Sequence, residues 1–178
     1  MKTSIIALVL FFPFVTMLSQ ISLTAGKTVQ NVTITNSNDE PVTLTDLGKK
    51  TVVIFYTDPD VKDVNDPLSD AIKARKYPSG NYLGLGIGNC ADTWLPNSAI
   101  RYAARQKEKD YPGSVVLIDT DHLLSKAWGL GDCDDIAVVI IIGKDLKVKY
   151  IKTAKTQDDS KAMIGAVIKI LDEELLKK

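Results

Sequence analysis

The chain has 178 residues, 45% of them hydrophobic, with 22 basic and 22 acidic side chains and a formal net charge of zero. That length suits one domain, and that apolar share excludes a disordered chain. A neutral balance, with no basic run longer than pairs such as Lys49-Lys50 and Lys177-Lys178, excludes a general nucleic-acid binder.

The N-terminus, MKTSIIALVLFFPFVTMLSQISLTAG, has one early lysine, an apolar run from Ile5 to about Leu18, and then small and polar residues. The first acidic residue is Asp39. This is the three-part pattern of a secretory leader. Pro13 interrupts the run, which falls short of the roughly 20 apolar residues that span a bilayer. The expectation is a signal peptide over residues 1–25, cleaved near Ala25, and one domain over 26–178 with no stable membrane span after processing. Lack of a cysteine near the boundary argues against a lipid anchor.

The next segment, KTVQNVTITNSNDEPVTLTDLGKK, reads as a β-hairpin. Val29, Val32 and Ile34 mark its first strand, NSNDEP its turn, and Val42 and Leu44 its second strand. TVVIFYT follows without polar alternation, as a strand buried on both faces does in a parallel sheet. VNDPLSDAIKARKY is a helix, with Asn65 or Asp66 as cap, Pro67 in the first turn, and Leu68 and Ile72 in its apolar stripe. YLGLGIGN is the next buried strand. SAIRYAARQKEKDYPG is a helix with Ile100, Ala103 and Ala104 inward, stopped by Pro112-Gly113. SVVLIDT is a third buried strand, and DHLLSKAWGLG a short helix with a glycine exit. IAVVIIIGKDLKVKYIKT is a hairpin turning at GKDL. TQDDSKAMIGAVIKILDEELLKK is a long helix with Met163, Val167, Ile170, Leu171 and Leu175 inward. Acids (Asp158, Asp159) sit at its positive end and lysines at its negative end. The order β-β-β-α-β-α-β-α-β-β-α implies right-handed crossovers in a parallel core, extended by antiparallel strands.

Three segments in order, LTDLGKKTVVIFYT, VVLIDTDHLLSKAWGL and AVVIIIGKDLKVKYI, resemble the peroxiredoxin-related branch of the thioredoxin-like superfamily. Together with RKYPSGNYLGLGIGNCADTWLPNSAIR and SKAWGLGDCDDIAVVIIIGKDLKVKYIK, they are similar to the YtfJ-type family of small exported bacterial proteins. The resemblance covers nearly all of the chain after the leader. It implies an α/β three-layer fold, with a mixed central sheet, helices on both faces and an extra N-terminal β-hairpin, and a periplasmic location. The superfamily's catalytic residues do not carry over. The CxxC of a thioredoxin would fall in DPDVKD, which has no cysteine. A peroxidatic cysteine would fall near Asp63 or Val64, and the proline before the closing hairpin near Asp135; both are absent.

Four features remain as candidate sites. Asp58, Asp60, Asp63 and Asp66 crowd one loop, and Asp132, Asp134 and Asp135 surround Cys133. Both segments should lie where the parallel strands finish, the usual ligand end. Their carboxylates are either a ligand or hard-cation surface or a solvated loop in which Asp63 or Asp66 caps a helix. Cys90 and Cys133 lie too far apart in sequence for a CxxC pair. They are a disulfide, two separate thiols or a redox pair, and the sequence leaves all three open. Acidic neighbours argue against a reactive thiolate at Cys133. Trp94 either lines a cleft or anchors its loop, and Trp128 packs on the sheet. His122, the only histidine, reads as a helix-start surface residue rather than a metal ligand. The functional expectation is a non-catalytic binding or accessory protein for an unidentified protein or small-molecule partner, using no cofactor. The alternative is an atypical thiol-disulfide oxidoreductase using Cys90 and Cys133.

Overall fold

The computed structural model describes residues 20–44, 46–91, 93–110 and 115–176. Residues 1–19 of the expected leader, the Pro112-Gly113 helix stop and the terminal Lys177-Lys178 lie outside the described residues. The elements follow the order expected from the sequence: β1 (Thr33–Asn36), β2 (Pro41–Thr43), β3 (Thr51–Thr57), a 3-10 turn (Pro59–Val61), α1 (Asp66–Ala74), β4 (Tyr82–Asn89), α2 (Asn97–Asp110), β5 (Val115–Asp119), α3 (Leu123–Trp128), β6 (Ala137–Ile142), β7 (Val148–Ala154) and α4 (Gln157–Leu175).

Among the described residues the strands form one seven-stranded sheet in the order β2-β1-β5-β4-β3-β6-β7. β3, β4 and β5 are parallel, and the other pairings are antiparallel. The mixed sheet follows from the connections: helical crossovers join the parallel strands, and tight turns join the hairpins. Every residue of β6 is buried, so its uninterrupted Ala-Val-Val-Ile-Ile-Ile run fills both layers. Each such aliphatic side chain contributes about 1.5–3 kcal/mol through removal from water.

Strand alternation sends Val53, Val139 and Ile141 to one face, where Leu68 and Ile72 of α1 and Met163, Val167 and Leu171 of α4 cover them. On that same face, α2 packs Ile100 and Ala104 over Ile118 and Cys90. The opposite face carries Ile54, Tyr56, Ile87, Leu117 and Ile140. It is covered by Leu124 and Trp128 of α3 and by the N-terminal segment through Leu23, Val29, Leu44 and Leu47.

Local departures from the sequence reading have identifiable causes. β1 starts at Thr33, because Val29 pairs elsewhere, its N–H donating to Leu146 O at 3.0 Å. Gly26 N–H donates to Val148 O at 2.8 Å and Val148 N–H to Lys27 O at 2.9 Å, which lines this stretch along the start of β7. Asn65 does not cap α1 through its side chain; its Nδ2 donates to Thr57 Oγ1 at 3.1 Å instead. Ala103 is exposed, since among its described residues α2 buries the i, i+4 pair Ile100 and Ala104. α4 has a reciprocal capping box: Thr156 Oγ1 accepts Asp159 N–H, and Asp159 Oδ2 accepts Thr156 N–H at 2.9 Å. Ser22 and Leu23 pack onto the domain, upstream of the boundary expected at residue 26. No helix among the described residues is long and apolar enough to cross a membrane.

Candidate functional site at the carboxyl ends of the parallel strands

β3, β4 and β5 run parallel, so their last residues and the loops that follow meet at one end of the sheet. Each strand switches there from apolar to polar. β3 runs into Thr57-Asp58, β4 into Asn89-Cys90, and β5 ends in Asp119.

Asp58 stands first after β3, and its side chain is fully buried. A carboxylate out of water is costly unless hydrogen-bonded. Asp58 Oδ1 accepts Asp60 N–H at 2.8 Å and Oδ2 accepts Asp135 N–H at 3.2 Å. Its own N–H donates to Ile136 O at 3.1 Å. One buried carboxylate therefore closes the 3-10 turn after β3 and ties it to the loop before β6. Asp135 at that junction takes a left-handed backbone, with φ of 53°.

A second buried network lies on the opposite face from Cys90. Tyr56 OH lies 3.1 Å from both Asn89 Oδ1 and Asp119 Oδ2, which share its one proton. Asp119 Oδ1 accepts Leu123 N–H at 2.7 Å, and its Oδ2 accepts Leu124 N–H at 3.0 Å. The carboxylate of β5 thus holds the first amides of α3, where the helix end is positive. Asn89 Nδ2 donates to Cys133 O at 3.3 Å, linking β4 to the loop before β6. Burial, with Asp119 alongside, raises the Tyr56 phenol far above its ordinary range. Tyr56, Asn89 and Asp119 belong to no motif that the sequence shows. The available signal was a polar residue at the last position of an otherwise apolar strand.

The two cysteines are both at this end, as their places just after β4 and in the loop before β6 imply, but the structure does not bring their thiols together. Cys90 is 5% exposed and packs with Ile100, Ala104 and Ile118 under α2. Cys133 is 1% exposed and belongs to the core on the opposite face, its Sγ 3.6 Å from Leu130 O. No disulfide joins them. Strand parity is the reason: Asn89 points to the Tyr56 face, so the next residue points away from it. Burial, reinforced by Asp58 and Asp119, pushes the Cys90 thiol up to about 12. A thiol in that state is a poor nucleophile at neutral pH.

The remaining aspartates divide by exposure. Asp60, Asp63, Asp132, Asp134 and Asp135 are exposed, Asp66 is half-buried and Asp58 is buried. Asp132 Oδ1 accepts Asp134 N–H at 3.1 Å, an ordinary loop contact. Among the described residues no group of three or more His, Cys, Asp or Glu side chains is placed to hold a metal ion. Trp94 is 82% exposed in the loop before α2. Trp128 is packed on the sheet, its Nε1–H donating to Gln30 O at 2.9 Å. His122 is half-buried at the start of α3, with φ of 56°. Two clefts lie away from this end. One, about 240 Å³ and apolar, sits beside β2 and the starts of β3–β5. The other, about 450 Å³, lies between residues 22–30 and the end of α3.

A family model described as "Bacterial protein of unknown function (YtfJ_HI0045)" matches residues 42–174. The chain belongs to this family. It is 28% identical over 113 residues to the uncharacterized protein YtfJ of Escherichia coli, covering 62% of this chain and 60% of that one. It is 29% identical over 108 residues to an uncharacterized protein of Haemophilus influenzae, covering 60% and 58%. The chain thus spans about three fifths of the length of these curated relatives. Among solved structures it is similar to a thiol peroxidase from Chromobacterium violaceum. That match has a TM-score of 0.61 at 13% identity, over 84% of this chain and 87% of that one. It is also similar to the pneumococcal exposed lipoprotein thioredoxin of Streptococcus pneumoniae, with a TM-score of 0.57 at 17% identity over 81% and 99%. At such identities the likeness is one of fold, and the fold is thioredoxin-like.

Proposed function

We propose that this is an exported, periplasmic member of its family that uses a thioredoxin-like scaffold for binding rather than for thiol chemistry. The observation that carries the reading is the state of the position after β3. Where a thioredoxin presents an exposed dithiol, this chain has a buried Asp58 and the Pro59–Val61 turn it closes. The two cysteines, buried on opposite faces, do not replace that dithiol. What the end does present is an acidic rim, Asp60, Asp63, Asp132, Asp134 and Asp135, with Trp94 standing in solvent. This rim is the proposed contact surface for a protein or small-molecule partner. Buried Asp58 fixes the spacing of its two loops.

The test compares the purified protein with a thioredoxin and a thiol peroxidase in insulin-disulfide reduction and peroxide consumption. The expected result is no turnover above buffer, with both cysteines still reduced afterwards. Turnover that disappears in Cys90→Ala or Cys133→Ala would overturn the reading and establish the oxidoreductase alternative. The binding surface is tested by crosslinking in periplasmic extract. Asp60→Lys with Asp134→Lys should lose a specific adduct that wild type forms, while melting at the wild-type temperature.

A further inference from the structure

We infer that residues 21–25 are not part of the leader but a strap of the folded domain, and that processing cuts upstream of Ile21. The inference rests on the export reading above. The strap has three hydrogen bonds onto one carbonyl: Ser22 N–H, Leu23 N–H and Ser22 Oγ–H all reach Gly129 O, at 2.8, 3.3 and 3.2 Å. Lys27 Nζ donates back to Ser22 O at 2.6 Å and closes the turn. Leu23 is 6% exposed, in the same core as Val29, Leu124 and Trp128, and Ile21 packs against it. Gly129 leaves room for the Ser22 hydroxyl to sit on its carbonyl. A Cβ there would stand 2.2 Å from Ser22 Oγ, and its φ of 66° already favours glycine at the end of α3.

Cleavage after Ala25 would discard Leu23 and all three bonds and bare the apolar ground beneath them. The nearest upstream bond with a small residue on its acyl side is Ser19–Gln20. A leader peptidase would add water across that bond, leaving a carboxylate on Ser19 and an ammonium on Gln20, and keep the strap intact.

The experiment expresses the full chain in a bacterial host and determines the intact mass and N-terminal sequence of the cytoplasmic and periplasmic pools. An exported, cleaved chain starting at Ile21 or a few residues before it is the expected result, and an exported chain that keeps residue 1 overturns the proposed cut. An exported chain starting at Gly26, or anywhere between 22 and 25, overturns the strap inference but leaves export standing. A chain that stays cytoplasmic with residue 1 retained overturns the export reading itself, and this inference with it. Stability gives a second readout independent of the peptidase. A chain starting at Gly26 should melt roughly 5–10 °C below one starting at Gln20, from the loss of one buried leucine and its hydrogen bonds. Gly129→Ala should lower the melting temperature slightly more in the Gln20 chain than in the Gly26 chain, because only the former has a Ser22 hydroxyl that the new methyl turns off Gly129 O. Equal melting temperatures for the two chains would overturn the strap.

Discussion

Replacing Asp58 with alanine tests whether a buried carboxylate, standing where relatives of the fold place a thiol, holds the two loops of the site together. The substitution removes the acceptor for Asp60 N–H at 2.8 Å and for Asp135 N–H at 3.2 Å. Hydrogen bonds to a charged group contribute about 1.5–3 kcal/mol each. Both amides belong to exposed residues and can regain water once released, so the lower part of that range applies. The sum is about 3 kcal/mol, and for a domain of this size each kcal/mol moves the melting temperature by about 2–4 °C. The expected loss is therefore roughly 6–12 °C by calorimetry at neutral pH. Asp58→Asn should lose about half as much, since one end of the amide still accepts while the other turns N–H toward N–H. Hydrogen exchange adds the local readout. The amides of Asp60 and Asp135 should lose protection together, while those of β6 change only with global stability. An alanine variant that melts within about 2 °C of wild type, or that releases one loop without the other, would refute the clamp.

Further outcomes follow from the same geometry. Native protein at pH 8 should resist alkylation at both cysteines, and two thiols should react on denaturation, because Cys90 and Cys133 are 5% and 1% exposed; mild oxidants should produce no Cys90–Cys133 link by mass. Cys90 has its folded pKa raised from 9.0 to about 12, first by burial and then by Asp58 and Asp119. Its contribution is thus fully present below pH 9 and is lost as the pH climbs toward 12. Alkaline unfolding should accordingly be less steep in Cys90→Ala than in wild type. Thr156→Ala removes half of the α4 capping box and should cost about 1 kcal/mol in chemical denaturation. Asp159, held below the usual carboxylate range by the amides of Lys155 and Thr156 and the Thr156 hydroxyl, stabilises the fold above its unfolded pKa. That contribution should fade as the pH falls through its lowered value, and Asp159→Asn should remove that part of the acid dependence. Trp94 at 82% exposure should give solvent-like, iodide-quenchable fluorescence that vanishes in Trp94→Phe with no change in melting, whereas Trp128 should resist quenching.

The strands and helices were legible because their signals are local. TVVIFYT and AVVIII are β-branched apolar runs of strand length, and the glycine after KAW ends its helix in a left-handed turn. The resemblance carried by those segments placed the chain in its family and fold. Details decided by neighbours were not legible. The inward side of α2 was read one residue too wide, because Ala103 and Ala104 are alike in sequence and differ only in which one meets β5. Asn65 looked like a helix cap and instead bonds Thr57, a residue made adjacent by the turn between them.

The candidate site divides the same way. Composition and spacing alone established that no CxxC exists and that acidic residues gather in two segments, since both are properties of the string. Only the tertiary structure decided that Asp58 is a buried clamp while its neighbours are solvent-exposed, because burial depends on which loop folds over which. It alone separated Cys90 from Cys133. Their strands flank β3, so distance along the sheet left a bridge open. The side on which each thiol emerges is set by strand parity and by the turn before β6, and these send the two thiols to opposite faces.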